Sequence, residues 1–408
     1  MDNNKKNKET MDIIITIIQI IGLVLGIYFL FSGLYFILFS VASLFYKDKV
    51  CKTKPGILKN VIILIPAYKE DSVIVDTAKD AVKHKSNLTT IDVYVLADGL
   101  KESTITKLKK LPINIINVEL KNSSKSKSIK FALQHLKIVY DYAIILDADN
   151  IMGVGFVDKI IQSLNSGYRV VQGHRVAKNL NTSFAVLDAV SEEVNNSIFR
   201  SGHHVLGLSA SLIGSGFGID YRLLQLLINQ SSSIGGFDKE LELMIIKKKI
   251  TIGYNKGALV FDEKVQKSED FVNQRRRWLS AQLIYLFKQD KPKEHESVVH
   301  LDYLDKKLQF IVPPRILSLG LSVIVVSLLV VQMFFMTPPI LIYSLWVGSL
   351  LLNIFAVLIA IPIKLYNGLV LRALFSIPKG FVLTLVALLN LKNANSTFIH
   401  TTHGIKSK

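Results

Sequence analysis

The chain has 408 residues, half of them hydrophobic, with a mean hydropathy of +0.36 and a formal charge of +17. It is too apolar for an ordinary soluble enzyme, and its single cysteine, Cys51, excludes an intrachain disulfide and any cysteine-rich metal site. The basic excess comes with no aromatic-interleaved stripe and no nucleic-acid motif, so anionic lipid headgroups and diphosphates are the partners it suits, not nucleic acid.

After a polar tail, 1–12, the run Ile13 to Tyr46 carries no charged residue. A bilayer core needs about 20 apolar residues per helix, and this run is too long for the h-region of a signal peptide. One long tilted helix is the preferred reading, with two short helices turning near Ser32-Gly33 as the alternative. Residues 54–305 are the one stretch large enough for a soluble domain. Within it the pattern alternates. Asn60–Pro66 reads as a buried strand closed by proline, and Asp92–Asp98 as the next. Asn114–Leu120 follows, then a helix over Ser126–Tyr140 and the apolar run Tyr142–Leu146. Strand, helix, strand in this order implies an α/β fold, a mostly parallel sheet with helices on both faces, whose ligands bind outside the carboxyl ends of the strands.

Membrane helices occupy 306–391. Ile316–Met336 and Ile340–Ile363 make two spans separated at Pro338-Pro339, and Gly368–Leu391 reads as an interfacial helix because Arg372 and Pro378-Lys379-Gly380 interrupt it. A basic tail, 392–408, ends the chain. Lys47, Lys49, Lys52 and Lys54 after the first span, and Lys392, Lys406 and Lys408 after the last apolar segment, put the middle domain on the cytoplasmic side of a multi-pass cell-membrane protein. Lys5, Lys6 and Lys8 pull the other way if there is one leading span, which is the main argument for the hairpin.

Asp147 and Asp149 stand where the Tyr142–Leu146 strand leaves the sheet. Hard divalent cations that also carry a diphosphate need one or two carboxylates and open positions for phosphate oxygens, so this pair is the candidate site for Mg²⁺ or Mn²⁺, Asp149 first and Asp147 second. Asp98, at the end of its own strand, is suited to a base or ribose hydroxyl, and Lys127 to a diphosphate. Gly214-Ser215-Gly216 lets backbone approach a sugar. His174 and Arg175 fall at a strand end near the metal. His174 is left out of the metal set, as are the adjacent pair His203-His204 and the pair His400 and His403, which has no third ligand nearby.

With these elements in order, the chain resembles membrane-embedded family 2 glycosyltransferases with a GT-A type domain, over about Lys54 to Asp305. The processive polysaccharide-synthase branch matches the flanking spans. The resemblance rests on Ile65-Pro66-Ala67-Tyr68-Lys69-Glu70, Leu96-Ala97-Asp98-Gly99, Ser126-Lys127-Ser128, Asp147-Ala148-Asp149, Leu212–Gly216, Phe237–Glu242 and Gln274-Arg275-Arg276-Arg277-Trp278. It implies donor binding by Pro66, Tyr68, Glu70, Asp98, Lys127, Asp147 and Arg277, and acceptor binding by Gln274, Trp278, Gly214 and Ser215. Glu240 stands at the place of the family's catalytic aspartate, and Glu242 is its rival as base. Arg277 would stabilise the departing diphosphate, and Trp278 would stack on the acceptor sugar.

The expected activity is inverting, metal-dependent transfer from a nucleotide-diphosphate sugar, UDP-N-acetylglucosamine or a related UDP-hexose, onto a growing glycan or lipid-linked acceptor with a β-linkage. The alternatives are a non-processive enzyme acting on a polyprenyl phosphate or lipid, and a non-catalytic membrane component of a synthase. The sequence implies no oligomeric state.

Overall fold

The structure, a computed structural model, describes residues 2–48, 59–86, 88–120, 123–231, 235–288, 300–335, 339–366, 368–391, 394 and 404. Cys51, Lys49, Lys52, Lys54, Pro338, His400, His403 and nearly all of the basic tail lie outside the described residues.

A single helix, α1 (Asp2–Ser43), covers the first apolar run, so the chain does not turn at Ser32-Gly33. Its 42 residues span about 63 Å at 1.5 Å per residue, longer than a hydrocarbon core of about 30 Å. The reason for continuity is packing. Gly33 lies so close to the helix α13 (Ile340–Ala360) that a Cβ there would come within 2.9 Å of the Leu352 Cβ, and Trp346 donates to the Gly22 carbonyl at 2.9 Å. Small residues at such a seam let two helices approach closely in lipid.

The middle domain then builds β1 (Lys59–Tyr68), α2 (Ile74–Ala81), β2 (Thr89–Asp98), α3 (Glu102–Leu108), β3 (Asn114–Asn117), α4 (Lys125–His135), β4 (Tyr142–Ile145), β5 (Ile151–Met152), α5 (Phe156–Asn165) and β6 (Val170–Ala177). Next come α6 (Ser183–Asn195), a π-helical segment (Asn196–Gly202) running into the short α7 (His203–Val205), β7 (Phe217–Asp220), α8 (Tyr221–Gln230), α9 (Phe237–Lys247), β8 (Ile252–Asp262), α10 (Ser268–Phe287) and α11 (Leu301–Ile311). The strands form one mixed sheet in the order β3-β2-β1-β4-β7-β6-β8-β5. The β3-β2-β1-β4 half is parallel, while β7 is antiparallel to both β4 and β6.

Period-2 burial assigns the faces. Ile62, Leu64, Ala143 and Ile145 pack with α4, α8 and α9, and Val61, Ile63, Ile65 and Ile144 pack with α2 and α5. The helices therefore lie on both faces, as the strand and helix alternation implies. Two elements of this domain end well short of expectation. Strand β3 stops at Asn117, and α4 ends at His135 because Leu136 turns extended (ψ 127°) ahead of the β-branched Ile138-Val139.

Among the described residues, four helical segments are long and apolar enough to cross a membrane: 9–43, 315–332 (α12, Arg315–Gln332), 340–360 (α13) and 371–389. The fourth belongs to α14 (Gly368–Leu389), which runs unbroken through Pro378 where an interrupted interfacial helix is expected. A close fit beside the proline accompanies this: Gly380 sits where a Cβ would meet Leu187 of α6 at 2.7 Å and Ile316 of α12 at 2.8 Å. Tertiary packing against these neighbours outweighs the local cost of proline and glycine.

Candidate active site

Strands β1, β2 and β4 run parallel, so Tyr68, Asp98 and Asp147 reach the same edge of the sheet. Tyr68 lies directly opposite Asp98, with Pro66 two residues before it and the buried Glu70 two after. The chain turns sharply there. Lys69 (φ 55°) and Gly99 (φ 64°) are left-handed, and the Lys69 amide donates to the Asp98 carbonyl at 2.9 Å. Asp98 is buried, and its carboxylate accepts from the Ser123 hydroxyl and from Ser128 Oγ at 3.3 Å.

Helix α4 joins this edge to the aspartate pair. Ser124 caps it, with the Lys127 amide donating to its hydroxyl, so Lys125 rather than Ser126 is the first helical residue. Residues two apart on a helix point in roughly opposite directions. Lys127 is exposed, whereas Lys125 turns inward to the Asp147 carboxylate and donates to the Gly214 carbonyl at 2.7 Å. The alternating Ser-Lys run leaves this register open in the sequence, and the Ser124 cap is the signal that fixes it.

The two aspartates face different surroundings. Burial opposes the charge of Asp147, but the Lys125 ammonium outweighs it and holds the carboxyl below the usual aspartate range. Asp147 remains partly exposed, 38% at its side chain, and lines a cavity. Asp149 is buried. Its Oδ2 accepts the Glu263 amide at 2.9 Å and its Oδ1 accepts Asn150 Nδ2 at 3.4 Å, tying the strand end to the chain after β8. Of the pair, Asp147, expected second, is the one that lines the cavity, and Asp149, expected first, is the buried one. An ionised carboxylate on the wall is the oxygen donor a hard divalent cation takes, and a bound cation would share it with the Lys125 ammonium. Among the described residues no group of three metal-ligating side chains occurs, which leaves the other positions to phosphate oxygens and water.

The cavity, about 540 Å³, has Lys125, Asp147, Arg175, Gly214, Asp238, Arg277 and Trp278 in its lining. Gly214 (φ 80°) and Gly216 (φ 62°) shape the loop beside Asp147, and a Cβ on Gly216 would come within 2.5 Å of Val260. Ser215 is buried in that loop. Gln172 Nε2 fixes it by donating to the carbonyls of Ser215 (3.0 Å) and Gly216 (3.1 Å).

The acids of α9 separate by helical direction. Asp238 is on the cavity wall, close to Gly214. Glu240, expected as base, is buried away from that wall, accepting from Ser231 Oγ at 2.5 Å and from Lys288 at 3.4 Å. Glu242, the rival, is fully buried, pairs with Lys306 at 2.9 Å and accepts the Leu212 amide at 3.0 Å. It braces the glycine loop. Burial opposes its charge, but Lys306 and Lys239 prevail and keep its carboxyl below the usual glutamate range.

The arginines of α10 also diverge. Arg275 pairs with Asp188 of α6 at 2.5 Å and stacks over Phe271 (4.6 Å) and Trp278 (4.4 Å). Arg276 donates to the Asn390 carbonyl at 2.7 Å. Arg277 alone of the three combines a cavity position with a charge coupled to Asp147, and burial lowers its pKa while that aspartate opposes the shift. Trp278 is half-exposed on the wall, and Gln274 lies off it with a buried Oε1.

A charge network without a sequence motif reaches the cavity wall through Arg175, Glu192 and Arg200. Glu192 of α6 receives Arg175 at 2.8 Å and Arg200 at 3.0 Å, and Lys264 lies at 3.8 Å from it and at 3.0 Å from Asp262. Burial opposes its charge, but the three cations hold the Glu192 carboxyl well below its usual range. His174, with Tyr254 at 2.5 Å and Glu193 at 3.2 Å, is a structural histidine. Arg200 sits in the π-helical segment, whose one-residue offset sequence periodicity does not signal.

No curated protein matches the chain. Among solved structures, a mannosyltransferase from Pyrobaculum calidifontis in complex with GDP-Man and Mn²⁺ aligns over 91% of this chain and 99% of its own at a TM-score of 0.55 and 13% identity. Glucosyl-3-phosphoglycerate synthase from Mycobacterium tuberculosis, in complex with Mn²⁺, UDP and phosphoglyceric acid, aligns over 59% and 86% at a TM-score of 0.41 and 15% identity. The first likeness supports the GT-A fold. The family model described as Glycosyltransferase like family 2 matches residues 59–281, more than half of the chain, and the protein belongs to that family of glycosyltransferases.

Proposed function

We propose that the chain transfers a sugar from a nucleoside diphosphate donor, with Mg²⁺ or Mn²⁺, onto an acceptor that approaches from the membrane side. One observation carries this reading. The cavity lined by Asp147, Lys125 and Arg277 is also lined by residues of α1, α12, α13 and α14, such as Phe36, Leu319, Val357 and Leu374.

In this reading Asp98, set by Ser123 and Ser128, meets the nucleoside, and the N-terminal turn of α4 faces the diphosphate, an arrangement that favours anions. The metal would be held by Asp147, with Asp149 anchoring the strand end, and when bound it neutralises charge on the departing diphosphate. Lys125 and Arg277 add fixed positive charge to the same cavity. For a hydroxyl acceptor, Asp238 is the wall carboxylate able to take the proton. In-line displacement inverts the anomeric carbon, so an α-linked donor gives a β-linked product. A UDP-linked hexose, N-acetylglucosamine first, remains the donor to try, and a cytoplasmic active site matches where such donors are made.

The test is a panel of radiolabelled nucleotide sugars with the purified full chain in lipid nanodiscs, scored for Mn²⁺-dependent release of the labelled sugar. Release from one donor, abolished by EDTA and by Asp147→Asn, is the expected result. Inertness toward every donor while the protein remains folded would point to a non-catalytic membrane component.

A further inference from the structure

Three buried side chains meet where the first membrane helix joins the middle domain: Tyr35 of α1, His203 at the start of α7 and Asp305 of α11. Contact there is tight. A Cβ on Gly202 would come within 2.2 Å of the Phe39 carbonyl oxygen, and the His203 ring stacks on Phe39 at 3.6 Å. The Tyr35 hydroxyl lies 2.7 Å from Asp305 Oδ1 and 3.0 Å from His203 Nε2. Asp305 Oδ2 lies 3.3 Å from the same nitrogen and accepts from Gln309 Nε2 at 2.8 Å. Gln309 reaches the cavity lining, and its Oε1 accepts from Ser211 Oγ at 3.0 Å and from Lys306 at 2.6 Å.

Hydrogen-bond partners fix the proton count. His203 Nδ1 faces an acceptor, the Ile198 carbonyl at 2.7 Å, so that nitrogen carries a proton. Tyr35 has one proton to give. Given to Asp305, it leaves Nε2 facing only acceptors, which suits a doubly protonated ring; given to Nε2, it suits a neutral ring and takes a donor from Asp305. Only the first arrangement satisfies every group, and it pairs the buried carboxylate with a cation. Burial opposes the charge of Asp305, but His203, Lys306 and the Tyr35 hydroxyl hold its carboxyl below the usual aspartate range. The other titratable groups on the elements packed about His203 are engaged elsewhere. Lys306 meets Glu242, Asp302 of α11 meets Ser209, Arg200 meets Glu192, Tyr254 of β8 meets His174, and His204 accepts the Tyr254 amide.

We propose that Tyr35, His203 and Asp305 form a proton-dependent latch between α1 and the cavity wall, closed while His203 is doubly protonated, with Asp305 the positioning residue for Gln309. Its effect on turnover rests on the glycosyltransferase reading above. When the Nε2 proton leaves to solvent, that nitrogen becomes an acceptor and the Tyr35 hydroxyl turns to it. Asp305 then keeps its charge with neither the imidazolium nor the phenol beside it, a costly state for a buried carboxylate. Its remaining cation is Lys306, which also holds Glu242, Ser211 and Gln309. The latch is thus closed at low pH and opens as pH rises, and its opening loosens Gln309 and Ser211 on the wall.

The test is nitrogen-15 NMR of the full chain in nanodiscs, labelled at histidine, from about pH 6 to about pH 9, a range that covers free and partner-stabilised histidine. The signals lost in His203→Gln identify the residue. Both of its ring nitrogens should be protonated at the acid end, and Nε2 alone should lose its proton as pH rises. In Asp305→Asn the same change should fall at a pH lower by about 1–3, the usual effect of removing an adjacent opposite charge. Donor hydrolysis by the unaltered chain should fall about fivefold or more over its own titration interval, within the usual range of coupling between sites. Gln309→Ala should keep the histidine titration and lose that fall. A neutral His203 at the acid end, or one still doubly protonated at the alkaline end, would overturn the latch, and the unaltered chain decides this whether or not Asp305→Asn folds. Hydrolysis that does not follow the titration, or that follows it equally in Gln309→Ala, would overturn the link to the cavity wall. The absence of hydrolysis with every nucleotide sugar would instead overturn the glycosyltransferase reading, with the titration still deciding the latch.

Discussion

The ammonium of Lys125 rests on the carboxylate of Asp147 and also reaches the Gly214 carbonyl, so one side chain ties the start of α4 to the aspartate strand and the glycine loop. Charge-assisted hydrogen bonds are worth about 1.5–3 kcal/mol. Lys125→Ala should therefore raise the donor KM by roughly 10- to 100-fold at about 1.4 kcal/mol per decade. Lys127→Ala, at an exposed position, should change it by less than about threefold. Steady-state kinetics with varied donor compares the two, and the opposite ranking would return the diphosphate to Lys127.

Asp147→Asn and Asp149→Ala should fail in different ways. The first removes a carboxylate from the cavity wall and should abolish Mn²⁺-dependent donor hydrolysis with little change in melting temperature. The second leaves the Glu263 amide without its acceptor and should cost about 1–3 kcal/mol of stability in addition to activity. Thermal melts and Mn²⁺ titrations on both variants make the comparison. An Asp149 variant of full stability that no longer responds to Mn²⁺ would restore Asp149 as the first ligand.

The acids of α9 separate the acceptor chemistries. Glu240→Gln should keep transfer within about threefold, since its carboxylate meets Ser231 and Lys288 rather than the cavity. Asp238→Asn should lose less than tenfold if the acceptor is a phosphate. General base catalysis contributes about 10²–10⁴-fold, so a loss of that size in Asp238→Asn would mean a hydroxyl acceptor.

The Glu242–Lys306 pair should set part of the acid stability. Glu242 has a folded-state carboxyl held below its usual value, so it stabilises fully above the unfolded glutamate pKa of about 4.3, and this contribution is lost as pH falls through the lower folded value. Lys306→Met removes the closer of the two lysines beside the buried carboxylate, leaving Lys239 at 3.6 Å, and should cost up to about 3–5 kcal/mol at neutral pH, whereas Glu242→Leu with Lys306→Met should recover much of it. Denaturant unfolding between pH 3 and pH 7 measures both. An unchanged midpoint in the single variant would show that the pair does not brace Leu212 and the loop after it.

The sequence by itself determined the class of the molecule: apolar runs at either end, alternating strand and helix between them, and carboxylates at strand ends that parallel strands must bring to one edge. Those follow from periods of two and 3.6 and from the length a bilayer requires, which are local properties of the chain. Only the tertiary structure decided between neighbours in sequence. Whether Lys125 or Lys127 turns inward depends on where Ser124 caps α4, and whether Asp238 or Glu240 meets the cavity depends on how α9 is rotated against α8, α10 and the glycine loop. The same holds for α14, which stays helical through Pro378 because α6 and α12 pack against it. The Glu192 network is likewise invisible in the sequence, because its members come from β6, α6, the π-helical segment and the chain after β8, and their charges make sense only once burial brings them together.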